Sequence, residues 1–470
     1  MTRSGAGRRI LRNFFNLSAG EIVARVVHFA AFAHLARVLG AGEFGRLGIV
    51  LTLVSYLMIP VLQGFDSVGM RDVARDRARL GPYAGNILSM RLLSALLTWG
   101  ALWGALRTSS LDAPTRSLLL LFGLTLFASA VSVKWAFQAV EETRPVAVAG
   151  IVAQLAFAAG AFTVRGPDQI LRVPLCQLGG ELAAGLLLYA VFCRRFGRLA
   201  PGFRLTLWKQ LLQQSAPLAV STVLGTLLFN FDVLALAYFQ PADAVGLYTA
   251  AYKLVLVFST LLTLFQLSLF PTLARVPHSG QDVGEIAGRV LRYLAAAFVP
   301  LGFLGLFVAP RLLAAVFGPE YAAASKALQI LIWSLPWMAL RAVFRIILVA
   351  YNLQALDLSA VFAGTVVNVA VDLLLVPRFG TTGAAIATLS SELVIFFRSY
   401  RFVWRRVQPV FVLARLLRPA LASVPMILAA WFLSPAPLAA QISGAAAVYL
   451  GALFFVRGVT WREIATLYHE

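Results

Sequence analysis

Charged residues are scarce in this chain. Only 13% of its 470 residues are Asp, Glu, Lys or Arg, whereas a soluble chain has about 25%. Long polar connections are also lacking, because no stretch between two apolar segments is long enough to hold a folded domain. A bilayer-spanning helix needs about 20 mostly apolar residues, and segment after segment reaches that length. These shortages exclude a soluble enzyme and predict an all-α integral membrane protein with about fourteen transmembrane helices.

Cysteines and catalytic motifs are scarce as well. The two cysteines, Cys176 and Cys193, lie in or at the end of one apolar segment, which is typical of small packing residues. The sequence has no phosphate-binding loop, no metal-ligand spacing of His and Cys and no nucleophile motif. We therefore expect a transporter rather than an enzyme, with no catalytic residue, metal site or cofactor. Transport would draw on the membrane potential or on a proton or sodium gradient.

Acidic residues are outnumbered by basic ones, 20 to 40, which gives a net charge of +20. The basic residues collect at the N-terminus and in every second connection, an alternation that predicts cytoplasmic termini by the positive-inside rule. The charge therefore indicates topology, with anionic headgroups and not nucleic acid as its partner. We expect the cytoplasmic (inner) membrane of a bacterium or archaeon. The basic connections are residues 71–79, 194–209, 275–292 and 398–406. The first, interleaved with Asp66, Asp72 and Asp76, is expected to be a solvated loop.

The apolar segments divide into groups of six, six and two. Displacing the chain by 201 positions lays Ala41 and Gly45 on Ala242 and Gly246, as expected for duplicated halves. The predicted parts are an N-terminal six-helix lobe over residues 1–193, a cytoplasmic linker over 194–213, a C-terminal six-helix lobe over 214–402 and two extra helices over 403–470. The predicted spans are 15–38, 44–65, 84–107, 117–138, 145–164, 170–193, 214–239, 245–270, 290–309, 323–350, 356–376, 380–400, 411–433 and 437–456.

Four segments carry a family resemblance. They are residues 36–45 (ARVLGAGEFG), 64–67 (GFDS), 245–253 (VGLYTAAYK) and 368–392, which begins NVAVDLLLVPRFG. With these segments in order along the chain, the sequence resembles the polysaccharide biosynthesis family of Wzx-like oligosaccharide flippases. That family is a branch of the multidrug/oligosaccharidyl-lipid/polysaccharide exporter superfamily.

The resemblance implies two six-helix lobes around a central cavity, with two extra C-terminal helices as in lipid II flippases. It implies transport by alternating access, from the cytoplasmic to the outer leaflet, of an oligosaccharide linked to a polyprenyl pyrophosphate for surface polysaccharide synthesis. The expected partners are this cargo, membrane lipids, glycosyltransferases and a polymerase, and we expect a monomer. Two alternatives are a cation-coupled multidrug exporter of the same superfamily and a membrane glycan polymerase or ligase.

The first apolar segment contains three ionisable residues on one helical stripe. Glu21, Arg25 and His28 fall on one face at about 100° per residue. Because an ionisable residue at bilayer depth usually faces a cavity or a partner, we predict substrate binding here. Arg25 would bind the pyrophosphate through its planar fork of donors, Glu21 would orient Arg25, and His28 would add a titratable donor. The alternative is an ion pair between Glu21 and Arg25 within the helix.

Four further residues are predicted to contact the cargo. Tyr252 and Lys253 begin the eighth span, where sugar stacking or phosphate binding competes with an anchoring role at the membrane interface. Arg341 and Arg345 lie one turn apart in the tenth span. They either extend a cationic lining or reach the cytoplasmic headgroups.

Asp232 and Asn230, amid apolar residues of the seventh span, form the candidate ion-coupling site. A carboxylate at bilayer depth often serves as a relay for protons or ions. The alternative is a hydrogen bond between helices, or pairing with Lys253. Hydrogen bonding between helices is the favoured interpretation for three more residues, Asn368, Asp372 and Glu392. Contact with the cargo is the alternative.

Overall fold

The structure is a computed structural model. It describes the backbone of residues 3–279 and 282–456, and the side chains of residues 24–260, 262 and 282–456. Regular structure in these ranges is entirely helical, which confirms the predicted all-α class. The α-helices are α1 (Arg3–Leu62), α2 (Phe65–Arg75), α3 (Leu80–Thr108), α4 (Ala113–Gly123), α5 (Thr125–Ala130), α6 (Lys134–Ala139), α7 (Thr143–Ala161), α8 (Arg172–Phe196), α9 (Leu205–Phe239), α10 (Ala242–Ser279), α11 (Val283–Phe317), α12 (Ser325–Leu331), α13 (Ser334–Ala350), α14 (Gln354–Arg406), α15 (Leu413–Phe432) and α16 (Leu438–Phe455).

Two helices are much longer than one membrane crossing. α1 has 60 residues and α14 has 53, which at about 1.5 Å per residue exceeds twice the roughly 30 Å of hydrocarbon. Each is interrupted by a glycine at positive φ, Gly40 (75°) in α1 and Gly380 (52°) in α14, where a residue with a Cβ would be strained. In the described part, twelve helical stretches are long and apolar enough to cross a membrane, and two of them contain these glycines. If both cross twice, the chain crosses fourteen times, and that count stays a prediction.

Two predicted spans, 117–138 and 323–350, are divided into shorter helices. In the second, the break follows from Pro336, which has no N–H to donate to the carbonyl of Ile332. The amide of Leu335 bonds that carbonyl instead, at 3.2 Å, and so tightens the turn. The apolar pattern does not reveal this break because hydropathy counts apolar residues without regard to backbone geometry.

The chain divides into two compact units, residues 1–226 (the first unit) and 227–470 (the second unit), and the boundary lies inside α9. In the first unit, α7 packs against α1 and α8, and buried side chains around Phe65, Trp135 and Phe137 form part of the core. In the second unit, α14 packs against α13, and α11 against α15. The predicted lobe and linker bounds stay predictions.

Residues 197–204 lie between α8 and α9, outside the helices. They are hydrogen-bonded to α3. The side-chain oxygen of Asn86 in α3 accepts hydrogen bonds from the backbone N–H of Arg204 at 2.8 Å and from the Trp208 indole at 3.0 Å. Part of the predicted linker is therefore held against the first unit by hydrogen bonds.

α15 and α16 form a hairpin that is hydrogen-bonded to α11. The Tyr449 hydroxyl donates to the carbonyl of Ala296 at 2.7 Å. That carbonyl lies four residues before Pro300, which has no N–H to donate to it. Farther along α11, Arg311 donates to the carbonyl of Ser434 at 2.7 Å. The last two helices thus complete the hydrogen bonding of α11, a role that the sequence did not reveal.

Candidate functional site

A buried polar cluster lies in the second unit where α9, α10 and α14 meet. Asp232 of α9 is 2% exposed and accepts a hydrogen bond from the hydroxyl of Tyr248 in α10. The same hydroxyl lies 3.1 Å from Oγ1 of Thr388 in α14. Asp232 therefore makes the hydrogen bond between helices that the sequence offered as an alternative to ion coupling. Such a bond holds the carboxyl in place without supplying a positive charge.

Asn368 and Asp372, one turn apart on α14, are 0% exposed. Neither polar atom of either side chain has a hydrogen-bond partner among the described residues. The Asp372 carboxyl also lies within electrostatic range of Asp232. Hydrogen bonding between helices, the favoured interpretation, therefore does not hold for these two residues. An unpartnered buried carboxyl is costly, and carboxylate and amide oxygens are the donors that hard cations prefer. We call Asp232, Tyr248, Asn368, Asp372 and Thr388 the acidic cluster.

Asn230, the predicted companion of Asp232, is half-buried on α9. Residues two positions apart on a helix point to different faces, so the helix separates the two side chains. Asn368 and Asp372, by contrast, are four positions apart and share a face. The amide side chain that shares a helix face with a carboxyl is therefore Asn368 of α14, next to Asp372, and not Asn230 of α9.

Arg341 forms a two-pronged ion pair with Glu392. Its Nε lies 2.5 Å from Oε2 and its Nη2 lies 3.3 Å from Oε1, and the two side chains are 13% and 3% exposed. Arg345, one turn later on α13, is 58% exposed and lies 3.7 Å from Asp357. The two arginines thus differ, because Arg341 is largely covered and held in an ion pair, whereas Arg345 is exposed. For Glu392, an interaction between helices is confirmed.

Tyr252 lies between the acidic cluster and the Arg341–Glu392 pair. Its ring is stacked on that of Tyr248, with centroids 5.9 Å apart and planes at 9°. It lies within electrostatic range of Glu392 and Arg341. Lys253, the next residue of α10, is half-buried. The structure therefore brings Asp232, Tyr252 and Arg341 into one region of the second unit.

The remaining predicted substrate residues belong to the first unit. Arg25 is exposed on α1. His28 is half-buried and hydrogen-bonded through Nδ1 to Oε1 of Gln154 in α7, at 2.7 Å, and its ring packs against Phe157 at 5.4 Å. Glu21 lies outside the residues whose side chains are described, so its predicted pairing with Arg25 stays a prediction.

A buried arginine that the sequence interpretation missed is Arg91 in α3. It is 1% exposed, and its Nη2 donates to Asp66 at 2.6 Å. The sequence feature that could have identified Arg91 is the one that identified Arg25, namely an arginine inside an apolar span. The expectation of a solvated loop was wrong for Asp66 and Asp72, which lie on the helix α2. Asp72 is buried and accepts hydrogen bonds from Tyr83 at 2.9 Å and from Arg71 at 2.8 Å.

The family model described as polysaccharide biosynthesis protein matches residues 10–276 of the chain, more than half of its length. The chain belongs to this family. A protein of Haloferax volcanii with the name probable flippase AglR is 30% identical over 169 residues, which is 34% of each chain. A longer match is to a Shigella dysenteriae protein named as an O-antigen transporter. That protein is 22% identical over 376 residues, 78% of this chain and 93% of its own length.

Solved structures share the fold of this polysaccharide biosynthesis family member. Lipid II flippase MurJ, in an inward closed conformation, superposes with a TM-score of 0.77 at 14% identity, covering 93% of this chain and 97% of its own. A multidrug resistance MATE family transporter of the MOP superfamily superposes with a TM-score of 0.61 at 13% identity, covering 81% and 94%. These likenesses show that the chain shares their fold.

Proposed function

We propose that the protein moves a lipid-linked oligosaccharide, carried on a polyprenyl pyrophosphate, from the cytoplasmic to the outer leaflet by alternating access. It is a flippase, a transporter and not an enzyme, of the polysaccharide biosynthesis family. Family membership carries this proposal, and the names of the archaeal and bacterial relatives support it. The cargo would come from membrane glycosyltransferases and pass to a polymerase, and the flippase would act as a monomer.

The charge distribution supports a membrane orientation and an anionic cargo. Basic residues in every second connection favour cytoplasmic termini in the cytoplasmic membrane of a bacterium or archaeon. Arg25 is exposed although it lies in a candidate membrane span. Since an arginine at bilayer depth costs about 2.5–3.5 kcal/mol on insertion scales, its exposure is best explained by access to water or to an anion. A pyrophosphate headgroup is such an anion.

The acidic cluster is our candidate site for ion coupling. It contains two buried carboxyls, Asp232 and Asp372, and the unpartnered amide of Asn368. These oxygen donors fit a monovalent hard cation, a proton or sodium, better than an anion. Moving one such charge down the membrane potential supplies about 2.3 kcal/mol per 100 mV. Binding of the cation would thus favour one end state of the transport cycle, and its release would favour the other.

The second candidate function is cation-coupled export of multiple drugs. The same acidic cluster favours it, because organic cations prefer carboxylates, and the fold likeness to a MATE transporter is compatible with it. The two functions differ in the charge of the cargo. An anionic, sugar-bearing lipid is expected to use arginines, and an organic cation is expected to use Asp232 or Asp372.

Translocation of a fluorescent lipid-linked oligosaccharide in vesicles containing the purified protein tests the flippase. Arg25→Ala should lower the rate at least about tenfold, because a hydrogen bond to a charged group contributes about 1.5–3 kcal/mol. Arg37→Ala, at an exposed position of the same helix, is the matched control and should transport normally. Normal transport by Arg25→Ala would contradict an anion-binding role. Export of an organic cation in place of the lipid would favour the second function.

A further inference from the structure

The carboxylate of Glu392 occupies two hydrogen-bond donors of the Arg341 guanidinium. Two of the guanidinium nitrogens, Nε and Nη2, face the two carboxylate oxygens at 2.5 and 3.3 Å. The carboxylate is nearly inaccessible, at 3% exposure, and the arginine retains 13%. The pair therefore lies at the margin of the accessible surface, with the positive partner on the outside.

A phosphate group binds a guanidinium in the same two-pronged geometry as a carboxylate does. The donors of Arg341 that a phosphate would need are those that Glu392 now occupies. Binding of Glu392 and binding of a phosphate through these two nitrogens are thus mutually exclusive.

Arg345 provides the contrast on the same helix. Its closest carboxylate oxygen, on Asp357, lies 3.7 Å away, and its side chain is 58% exposed. That separation is too long for a hydrogen bond, so the donors of Arg345 are not taken by Asp357. Of the two arginines on α13, only Arg341 therefore has a carboxylate, that of Glu392, where a phosphate would bind.

We propose that Glu392 is an internal competitor for the phosphates of the cargo at Arg341. This inference rests on the proposed function and adds to it a residue that sets affinity and release. In the cargo-free state Glu392 holds Arg341, and a pyrophosphate displaces the carboxylate because it brings more negative charge to the same fork. Glu392 in turn displaces the headgroup when the cargo leaves. A monoanion has no such advantage over Glu392, so the pair selects multiply charged headgroups.

Binding of inorganic pyrophosphate to the purified protein, measured by titration calorimetry, tests the competition. Glu392→Gln removes the competing charge with little change in shape, and the Kd for pyrophosphate should fall at least tenfold. Adding Arg341→Gln to that variant should abolish the gain. Asp357→Asn, which removes the distant carboxylate next to Arg345, is the matched control and should change the Kd less than twofold, since exposed pairs are weak.

An unchanged or higher Kd in folded Glu392→Gln would overturn the proposal and leave the ion pair purely structural. Where Glu392→Gln does not fold, Glu392→Asp keeps the charge but shortens the reach, and an intermediate fall in Kd is expected. An unchanged Kd in that variant overturns the proposal equally.

Transport separates this inference from the proposed function. Glu392→Gln should bind the headgroup more tightly and release it more slowly, so its maximal translocation rate should fall while half-saturation moves to lower cargo concentration. If the wild-type protein moves no lipid-linked oligosaccharide but the pyrophosphate results hold, the proposed function fails and the competition stands. If transport is normal and the Kd does not respond to Glu392→Gln, only the competition fails.

Discussion

In the first unit a buried arginine, Arg91, is paired with Asp66 at 2.6 Å, whereas in the second unit two carboxyls, Asp232 and Asp372, lie buried within electrostatic range of each other. The first arrangement is neutral within the chain. The second contains two carboxyls and no basic residue, and its Asp372 has no hydrogen-bond partner among the described residues. The difference separates a charge pair that completes the fold from a cluster that we propose to bind a cation. A buried carboxyl without a hydrogen-bond partner is thus a stronger sign of a binding site than a paired arginine such as Arg91.

Removing Asp66 and removing Asp372 should therefore affect stability differently, and the larger loss is expected for Asp66. Asp66→Asn leaves Arg91 buried without a counter-charge and should lower the free energy of unfolding by about 3 kcal/mol. Denaturant titration of the detergent-purified protein measures this loss. Glu285→Gln breaks an exposed ion pair with Arg289 and should cost less than about 1 kcal/mol. Equal losses in both variants would show that burial of Arg91 carries no special cost.

In the second unit, Asp372→Asn should not destabilise the protein in the absence of the cation, because it removes an unpartnered buried carboxyl. Sodium at constant ionic strength, or lower pH if the cation is a proton, should stabilise the wild-type protein. The gain is about 2.7 kcal/mol at a hundredfold excess over Kd.

Thermal unfolding in sodium and in choline chloride measures this gain, which Asp372→Asn should abolish. Asp243→Asn, at an exposed position of α10, serves as control and should keep it. If Asp372→Asn is still stabilised by the cation, Asp372 is not part of the cation site.

The smallest effects are expected at two helix N-caps, one in each unit. Asp112 accepts from the hydroxyl of Thr115 at 2.6 Å, and Asp282 accepts from the backbone of Gly284 at 2.7 Å and from Gln408 at 2.6 Å. Replacing either aspartate by alanine should cost about 1 kcal/mol.

The hydrogen bond from Thr115 holds the pKa of Asp112 below its usual range. Its stabilisation is therefore present above the ordinary pKa of an aspartate and is lost as the pH falls through the lowered value. Denaturant titrations of wild type and Asp112→Ala should converge at low pH. A constant difference between them at all pH values would contradict the role of the ionised carboxylate.

The sequence predicted the helices well because hydropathy and length decide which segments lie in a bilayer. It predicted the candidate residues less well, because the spacing along one helix does not tell which helices pack together. Arg91 and its partner are 25 residues apart, and Arg341 and Glu392 are 51 apart, beyond the reach of any local pattern. Asp232 was found as a lone carboxyl in an apolar span. The proximity of Asp372 to Asp232 could not be predicted, because it depends on how α14 packs on α10.

The hydrogen bond from Tyr449 to Ala296 joins residues that are 153 positions apart. During synthesis, α11 therefore enters the membrane long before the donor that satisfies its proline-freed carbonyl has been made. A nascent chain that stops before α16 would keep that carbonyl without its donor in a medium that offers no water. Loss of the last hairpin should therefore leave α11 with a carbonyl that lacks its hydrogen-bond donor.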